Sequence, residues 1–468
     1  MFWHPPRGNA GLTRPPAPVP PPPALRVGLK EIVAFGAGDA GFNIIWGLML
    51  SYLAYFYTDI CFFPARMVGF MLLAARAASL VTDPAVGLWI DRRPTGHQAL
   101  PLLRGGLVPF MVLVVLTFVP LPRGWPVVAR GLCAGVAYMA LCVSYGVVNT
   151  AYGVMTSLIS SDPAIRLRLA TSRMVGATLG GLVVSMVTLP AVDFLGHGNR
   201  QAGFALFMMV VACVVGALVW LPARLCHERV ATDGGDVAPR QLVMSLLANR
   251  AWRRLTGAML LTMLGSTFLF GALVYDVRYV LHAGDHMAGW LLGMMSLTVL
   301  AGCGLSLPLC AWWGPGVVMR RGTVAAGGIL LLAYGLPARL DVTGAGLALF
   351  GLCVGVCNPA CFTLLAHAMR HEGGACGLHA VGLGWALNSM ASKMAFDIGG
   401  SLLAGVLAAA GLVSGTAGQT AQAQAGIHAG CLLVPAVLYL LAGGIVLRGL
   451  GVQNPVAAVN STASPPPT

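Results

Sequence analysis

Twelve runs of mostly apolar residues, separated by short polar breaks, constrain this chain more than any other feature. A helix rises 1.5 Å per residue, so about twenty residues cross the hydrocarbon core of a bilayer. In that medium every backbone amide must be satisfied internally, and runs of this length satisfy it as helices. They lie near 31–57, 65–90, 100–121, 126–155, 169–192, 203–222, 254–281, 287–311, 322–337, 344–366, 379–411 and 428–450. The ninth is short, and the eleventh is read as including a periplasmic extension. Charged residues make up 9% of the chain, against about 25% in a soluble domain. The predicted fold class is therefore an all-α polytopic membrane protein with twelve transmembrane helices.

The formal charge of +13 points to topology rather than to nucleic acid. With the N-terminus inside, the inner segments hold Arg26, Lys30, Arg92, Arg93, Arg166, Arg168, Arg224, Arg229, Arg250, Arg253, Arg254, Arg320, Arg321 and Arg370. The outer ones keep Arg66, Arg123, Arg200 and Arg339. This bias places both termini in the cytoplasm of a multi-pass protein of the cell inner (plasma) membrane. Twelve cysteines show no CxxC or zinc-like spacing. Cys353, Cys357 and Cys361 share one face of the tenth span and read as small polarizable seam residues.

Residues 1–29, with the run PPAPVPPPP, and residues 451–468 read as disordered cytoplasmic tails without a signal-peptide core. The stretch 223–252 reads as a central cytoplasmic loop between six-helix bundles at 30–222 and 253–450. A weak repeat supports the division. GLWIDRRPTG (Gly87–Gly96) follows the second span, and GPGVVMRRGT (Gly314–Thr323) follows the eighth; each is read as a loop carrying an Arg pair. Parallel repeats of this kind flank a central site.

Polar residues inside the spans mark that site, because an ionisable group at mid-bilayer costs about 2.5–3.5 kcal/mol and usually faces a partner or a wet cavity. On the first span Gly36, Asp39, Asn43 and Trp46 form one stripe. A carboxylate and an amide bond hydroxyls, and an indole stacks on the apolar face of a sugar; the alternative is a polar interhelical seam. On the second span Arg76, Ser79, Leu80 and Asp83 share a face, and Pro84 frees a backbone carbonyl. Asp83, with Ser79 and Thr82, suits a small cation or a proton; the alternative is an Arg76–Asp83 pair. Tyr145, Asn149 and Tyr152 share a face on the fourth span, with Arg173 inside the fifth. Ser389, Lys393 and Asp397 share one on the eleventh, where Lys393 is either a titratable partner or half of an intrahelical Lys393–Asp397 pair. The loop His367–His379 offers His367, His371, Glu372, Cys376 and His379, more simply read as solvated than as a metal site. No nucleophile elbow, phosphate loop or HExxH helix is present, so neither an enzyme, a cofactor nor a resident metal is expected.

FGAGDAGFNIIW, YFYTD and AR-x6-DP-x2-G, with VNTAYGVMTSLISSDPAIRLRLATSRMVGATLG (Val148–Gly180) and WALNSMASKM (Trp385–Met394), resemble the glycoside–pentoside–hexuronide:cation symporters, the family of melibiose permease. The likeness covers roughly 30–450 and implies the major facilitator fold. GLWIDR resembles the G-x-x-x-D-R signature of that superfamily, which makes Asp91, with Arg92, Arg320 and Arg321, a cytoplasmic latch. The resemblance further implies Asp83 as coupling-cation ligand, with Asp39, Asn43, Arg173 and Lys393 lining the sugar cavity and a monomeric protein rocking one half against the other.

The chain departs from the family pattern where acids are expected: Ser79, Thr82 and Asn149 replace acidic or amide groups, Gly153 an aromatic, and His367 and Arg370 a pair of acids. One carboxylate is a poor cage for a hard cation, so H⁺ is expected over Na⁺. The expected function is cation-coupled symport of a sugar or glycoside. Transport or export of an amphipathic, lipid-like or other non-sugar molecule is the alternative, and a non-transporting membrane receptor a third. The expected partners are a small-molecule substrate and the lipid bilayer, not nucleic acid.

Overall fold

The computed structural model describes residues 27–92, 99–122, 124–230, 239–284, 286–371, 381–411 and 419–447. Twelve helices long and apolar enough to cross a membrane run through them, one for each expected span. The first half contains α1 (Leu29–Ser51), α2 (Ala65–Asp91), α3 (Leu100–Thr117), α4 (Val127–Leu158), α5 (Pro163–Gly196) and α6 (Arg200–Leu225). The second contains α7 (Arg250–Tyr279), α8 (His286–Trp313), α9 (Pro315–Gly335), α10 (Leu340–His371) and α11 (Val381–Ala409). The last, α12, runs as Ala421–His428, a π-helical turn Ala429–Leu433 and Val434–Leu447. The expected disordered tails fall almost wholly outside the described residues, as do Arg93, Glu372, Cys376 and His379.

Local chemistry explains where helix ends depart from the hydropathy runs. The α5 helix starts at Pro163 rather than 169 because Asp162 accepts the Ala164 N–H at 2.8 Å and Pro163 occupies the first helical position. The α1 helix stops at Ser51, short of 57, and the chain continues through the short helix Leu53–Tyr55 and a π-helical turn, Phe56–Ile60. Gly314, at φ 80°, turns the chain directly from α8 into α9. Arg320 and Arg321, expected in a loop, therefore lie inside α9. No breaker separates them from Pro315, and Arg321 rests its guanidinium 5.1 Å from the Trp313 ring centre. The repeat GLWIDR likewise belongs to the last turn of α2, with Arg92 as its C-cap.

The central segment is not wholly a loop. It contains a helix, Pro239–Ala248, which buries Leu242 and Leu246. Asn249 then caps α7 by accepting the Trp252 N–H at 2.8 Å, and donates to the Ala368 carbonyl of α10 at 2.9 Å.

Within the first half α1 packs on α5 and α6, α2 on α4, and α3 on α4 and α6. Within the second, α8 and α9 pack on α10, while α12 joins α7 and α9. The halves meet where α2 and α4 touch α11, and where α5 touches α8 and α10. Large apolar side chains such as Phe70, Leu73, Val136 and Trp290 point outward, as a lipid-facing surface requires.

Small residues let α1 and α5 approach at backbone distance. A Cβ at Gly176 would stand 2.0 Å from the Gly36 carbonyl oxygen. Gly176→Ala is expected to lower stability by about 1–3 kcal/mol, the usual range for overpacking. Thermal unfolding in detergent checks this, with Gly181→Ala, whose added methyl meets nothing within 4 Å, as the control.

Candidate functional site

Charged side chains converge on the seam between the halves, and their pairing crosses it. Lys393 of α11 donates to Asp83 Oδ2 of α2 at 2.5 Å. A turn away, Arg76 of α2 reaches Asp397 of α11 at 3.5 Å. Neither alternative read from the sequence, an Arg76–Asp83 pair or an intrahelical Lys393–Asp397 pair, is formed. The reason is that α2 and α11 run antiparallel along the seam, so each helix presents an acid opposite the other's base. Asp83 is fully buried, and its Oδ1 has no hydrogen-bond partner. Lys393 also lies 5.6 Å from the Tyr145 ring centre.

Ser79 and Thr82 do not turn toward Asp83. Their hydroxyls donate to the Ala75 and Ala78 carbonyls of their own helix, at 3.2 and 2.9 Å, the back-bonding habit of helical Ser and Thr. Gly146 of α4 is a necessity here: a Cβ would sit 2.5 Å from Asp83 Oδ1.

Asp39 and Arg173 make a second buried pair, inside the first half. Asp39 Oδ1 accepts from Arg173 Nε and Nη2, both at 2.9 Å, and its Oδ2 accepts from Asn43 at 3.1 Å. Arg173 Nη1 donates to Thr156 at 3.2 Å. Its guanidinium lies 5.0 Å from the Tyr152 ring centre, 5.4 Å from Phe362 and 5.8 Å from Trp385. Arg173 thus carries cation–π contacts from both halves. Asp39 and Asn43, expected to bond hydroxyls directly, are engaged with Arg173 and with one another, because a buried carboxylate requires such partners. Tyr152 donates its hydroxyl to the Phe35 carbonyl. Trp46 stacks on Tyr145 at 5.8 Å, with the Arg76 guanidinium 4.9 Å from its ring centre. Asn149 is half-buried on the Tyr145–Tyr152 face.

At one end of the seam Asp91 accepts the Gly382 and Leu383 amides at 2.7 and 2.8 Å. A carboxylate at the start of α11 meets the positive end of its dipole. Gly87 and Gly382 make the approach possible, since a Cβ on Gly382 would lie 2.6 Å from the Gly87 carbonyl oxygen. Trp385 closes the same end by donating to Ser157 at 3.1 Å and stacking on Phe362 at 5.9 Å.

Thr156 and Trp385 escaped the sequence reading, yet each extends a stripe already drawn by one turn: Tyr145, Asn149, Tyr152 onward to Thr156, and Ser389, Lys393, Asp397 back to Trp385. Phe362 carries no such signal. His367 and His371 lie in the last turns of α10 rather than in a loop, and residues 372–379 are outside the described residues.

Two six-helix halves that meet through crossing ion pairs and through Asp91 at the start of α11 form the fold of the major facilitator transporters. The chain belongs to the MFS/sugar transport protein family, whose profile matches residues 34–448. It is 26% identical over 425 residues to the inner membrane symporter YicJ of Escherichia coli K12, covering 90% of this chain and 91% of that one. It is 28% identical over 429 residues to the putative glycoside/cation symporter YagG of the same strain, again covering 90% and 91%. A crystal structure of the E. coli fucose:proton symporter FucP superposes with a TM-score of 0.65 at 14% identity, over 88% of this chain and 97% of that one. At that identity the likeness concerns the fold.

Proposed function

We propose that this protein is a secondary active symporter that couples entry of a sugar or glycoside to entry of a proton by alternating access. The observation that carries the reading is the Lys393–Asp83 bridge between the halves. A lysine ammonium occupies the one side of Asp83 that is bonded, where a sodium ion would need several oxygen ligands. Asp83 is the single carboxylate on this face, and the Ser79 and Thr82 hydroxyls are bonded to carbonyls of their own helix, so a proton is the simplest species to neutralise Asp83. Neutralising it removes the attraction that holds α2 to α11 at this depth, and the halves are then free to rock.

The relatives named as symporters, one of them for glycosides, support the coupling to a cation and the substrate class. Asn149, with Arg173 and the aromatic rings around it, supplies amide, cation and stacking surfaces for hydroxyls and pyranose faces. We place both termini on the cytoplasmic side of the inner membrane, so that the Asp91 latch closes the cytoplasmic end. The bundles 30–222 and 253–450 act as the two moving bodies of a monomer.

The test is purified protein in proteoliposomes with a pH dye inside, given a panel of glycosides with and without Na⁺. Internal acidification on adding one of them, unchanged without Na⁺, is the expected result. Uptake that requires Na⁺ and moves no proton would overturn the proton assignment.

A further inference from the structure

The charges on α2 and α11 have a second possible arrangement. Arg76 and Asp83 form a neutral set on α2, and Lys393 and Asp397 a neutral set on α11. In this structure both pairs cross the seam. Lys393 and Asp397 are four residues apart on one helix face, within direct reach of each other. They differ sharply in surroundings: the Asp83 side chain is 1% exposed and that of Asp397 45%.

We propose that Asp397 is a positioning residue, the alternative partner that receives Lys393 when Asp83 is neutralised. The inference rests on the symport reading of Asp83. A proton from the aqueous side binds the Asp83 carboxylate; Lys393 keeps its own proton and swings its ammonium one turn along α11 to Asp397. Arg76 yields Asp397 and remains over the Trp46 ring, which it already contacts at 4.9 Å. Lys393, the more deeply buried cation, is then not left stranded in the seam as the halves part; Arg76, 24% exposed, is the one that gives up its carboxylate.

The other groups facing this segment do not offer a substitute. From α4 come Tyr145, whose ring lies under Lys393, and Tyr138 and Cys142 near Arg76. From α7 come Leu264 and Thr267, packed at Gly399. Asp397 is the acid within reach among the described residues.

Two effects of removing Asp397 oppose each other, and magnitudes decide between them. The Arg76–Asp397 contact, 3.5 Å long and half-exposed, is of the kind that contributes little. Lys393 is 12% exposed, and a cation left unpaired at such depth is strongly unfavourable. Loss of Asp397 should therefore hinder separation of the halves, whereas a purely structural bridge to Arg76 would ease it. The signs are opposite.

The experiment measures the distance between spin labels replacing Arg168 and Arg250, two exposed positions at the Asp91 end of opposite halves, in nanodiscs. Cys133 and Cys213, the exposed thiols among the described residues, and Cys376, which lies outside them, are first changed to serine. Asp83→Asn, a permanent mimic of the protonated acid, is expected to populate a state with a longer distance. In Asp83→Asn/Asp397→Asn that population should fall by at least about threefold, which is at least about 0.7 kcal/mol at about 1.4 kcal/mol per tenfold. Adding Lys393→Gln should restore it, and Asp397→Glu in place of Asp397→Asn should retain it. An equal or larger open fraction without Asp397 overturns the proposal. Absence of any opening in Asp83→Asn alone overturns the reading of Asp83 on which it rests.

Discussion

Asp83→Asn is expected to abolish accumulation of substrate against a gradient while leaving exchange between equal concentrations intact. A proton crossing about 100 mV releases about 2.3 kcal/mol, which sustains a roughly fiftyfold concentration ratio. Without a protonatable group beside Lys393 that ratio should collapse to one. Exchange survives because it needs only the neutral form of residue 83, which the amide imitates. The amide also matches the carboxyl group in size, so the packing against Gly146 is kept. Entry and exchange of a labelled substrate, measured in the same vesicles, separate the two quantities. Continued uphill accumulation by Asp83→Asn would sink the coupling role; loss of exchange as well would show that residue 83 acts in the path of the substrate.

The fold was legible because lipid leaves a spanning backbone few choices, and twelve apolar runs became twelve helices. Their ends were less so, since Asp162–Pro163 and Gly314–Pro315 set them through capping and turn chemistry that hydropathy ignores. The site divided in a similar way. Periodicity put Asp39 with Asn43, and Lys393 with Asp397, on common faces, and the structure keeps those faces. Periodicity within one helix says nothing about which helix lies opposite. The exchange of partners, Asp83 with Lys393 and Arg76 with Asp397, thus became visible only once α2 and α11 were seen to run antiparallel. Asp39 shows the converse limit. Its stripe suggested a hydroxyl ligand, but burial commits its carboxylate to Arg173, which lies over a hundred residues away in the chain. Ser79 and Thr82 were read as oxygen ligands by position, yet their hydroxyls satisfy carbonyls of their own helix.

The Asp39–Arg173 pair gives the largest expected effect on stability. Removing one member of a buried pair typically costs roughly 3–5 kcal/mol, because the remaining charge keeps its desolvation penalty without its partner. Arg173→Leu should fall in that range: Asp39, 4% exposed, would retain only the Asn43 amide. Asp39→Asn should cost less, since Arg173 keeps Thr156 and the rings of Tyr152, Phe362 and Trp385. The double variant should be more stable than the sum of the two predicts, by at least about 1 kcal/mol of coupling, measured as thermal or denaturant unfolding in detergent. Transport should not recover with it. A guanidinium carries five N–H donors, and Asp39 and Thr156 take three of Arg173's, leaving two for a substrate hydroxyl at the meeting point of both halves. A double variant that folds well and still transports at the wild-type rate would reduce the pair to a structural strut. One that folds well and transports nothing assigns Arg173 to substrate recognition, with Asp39 as the residue that holds it in place.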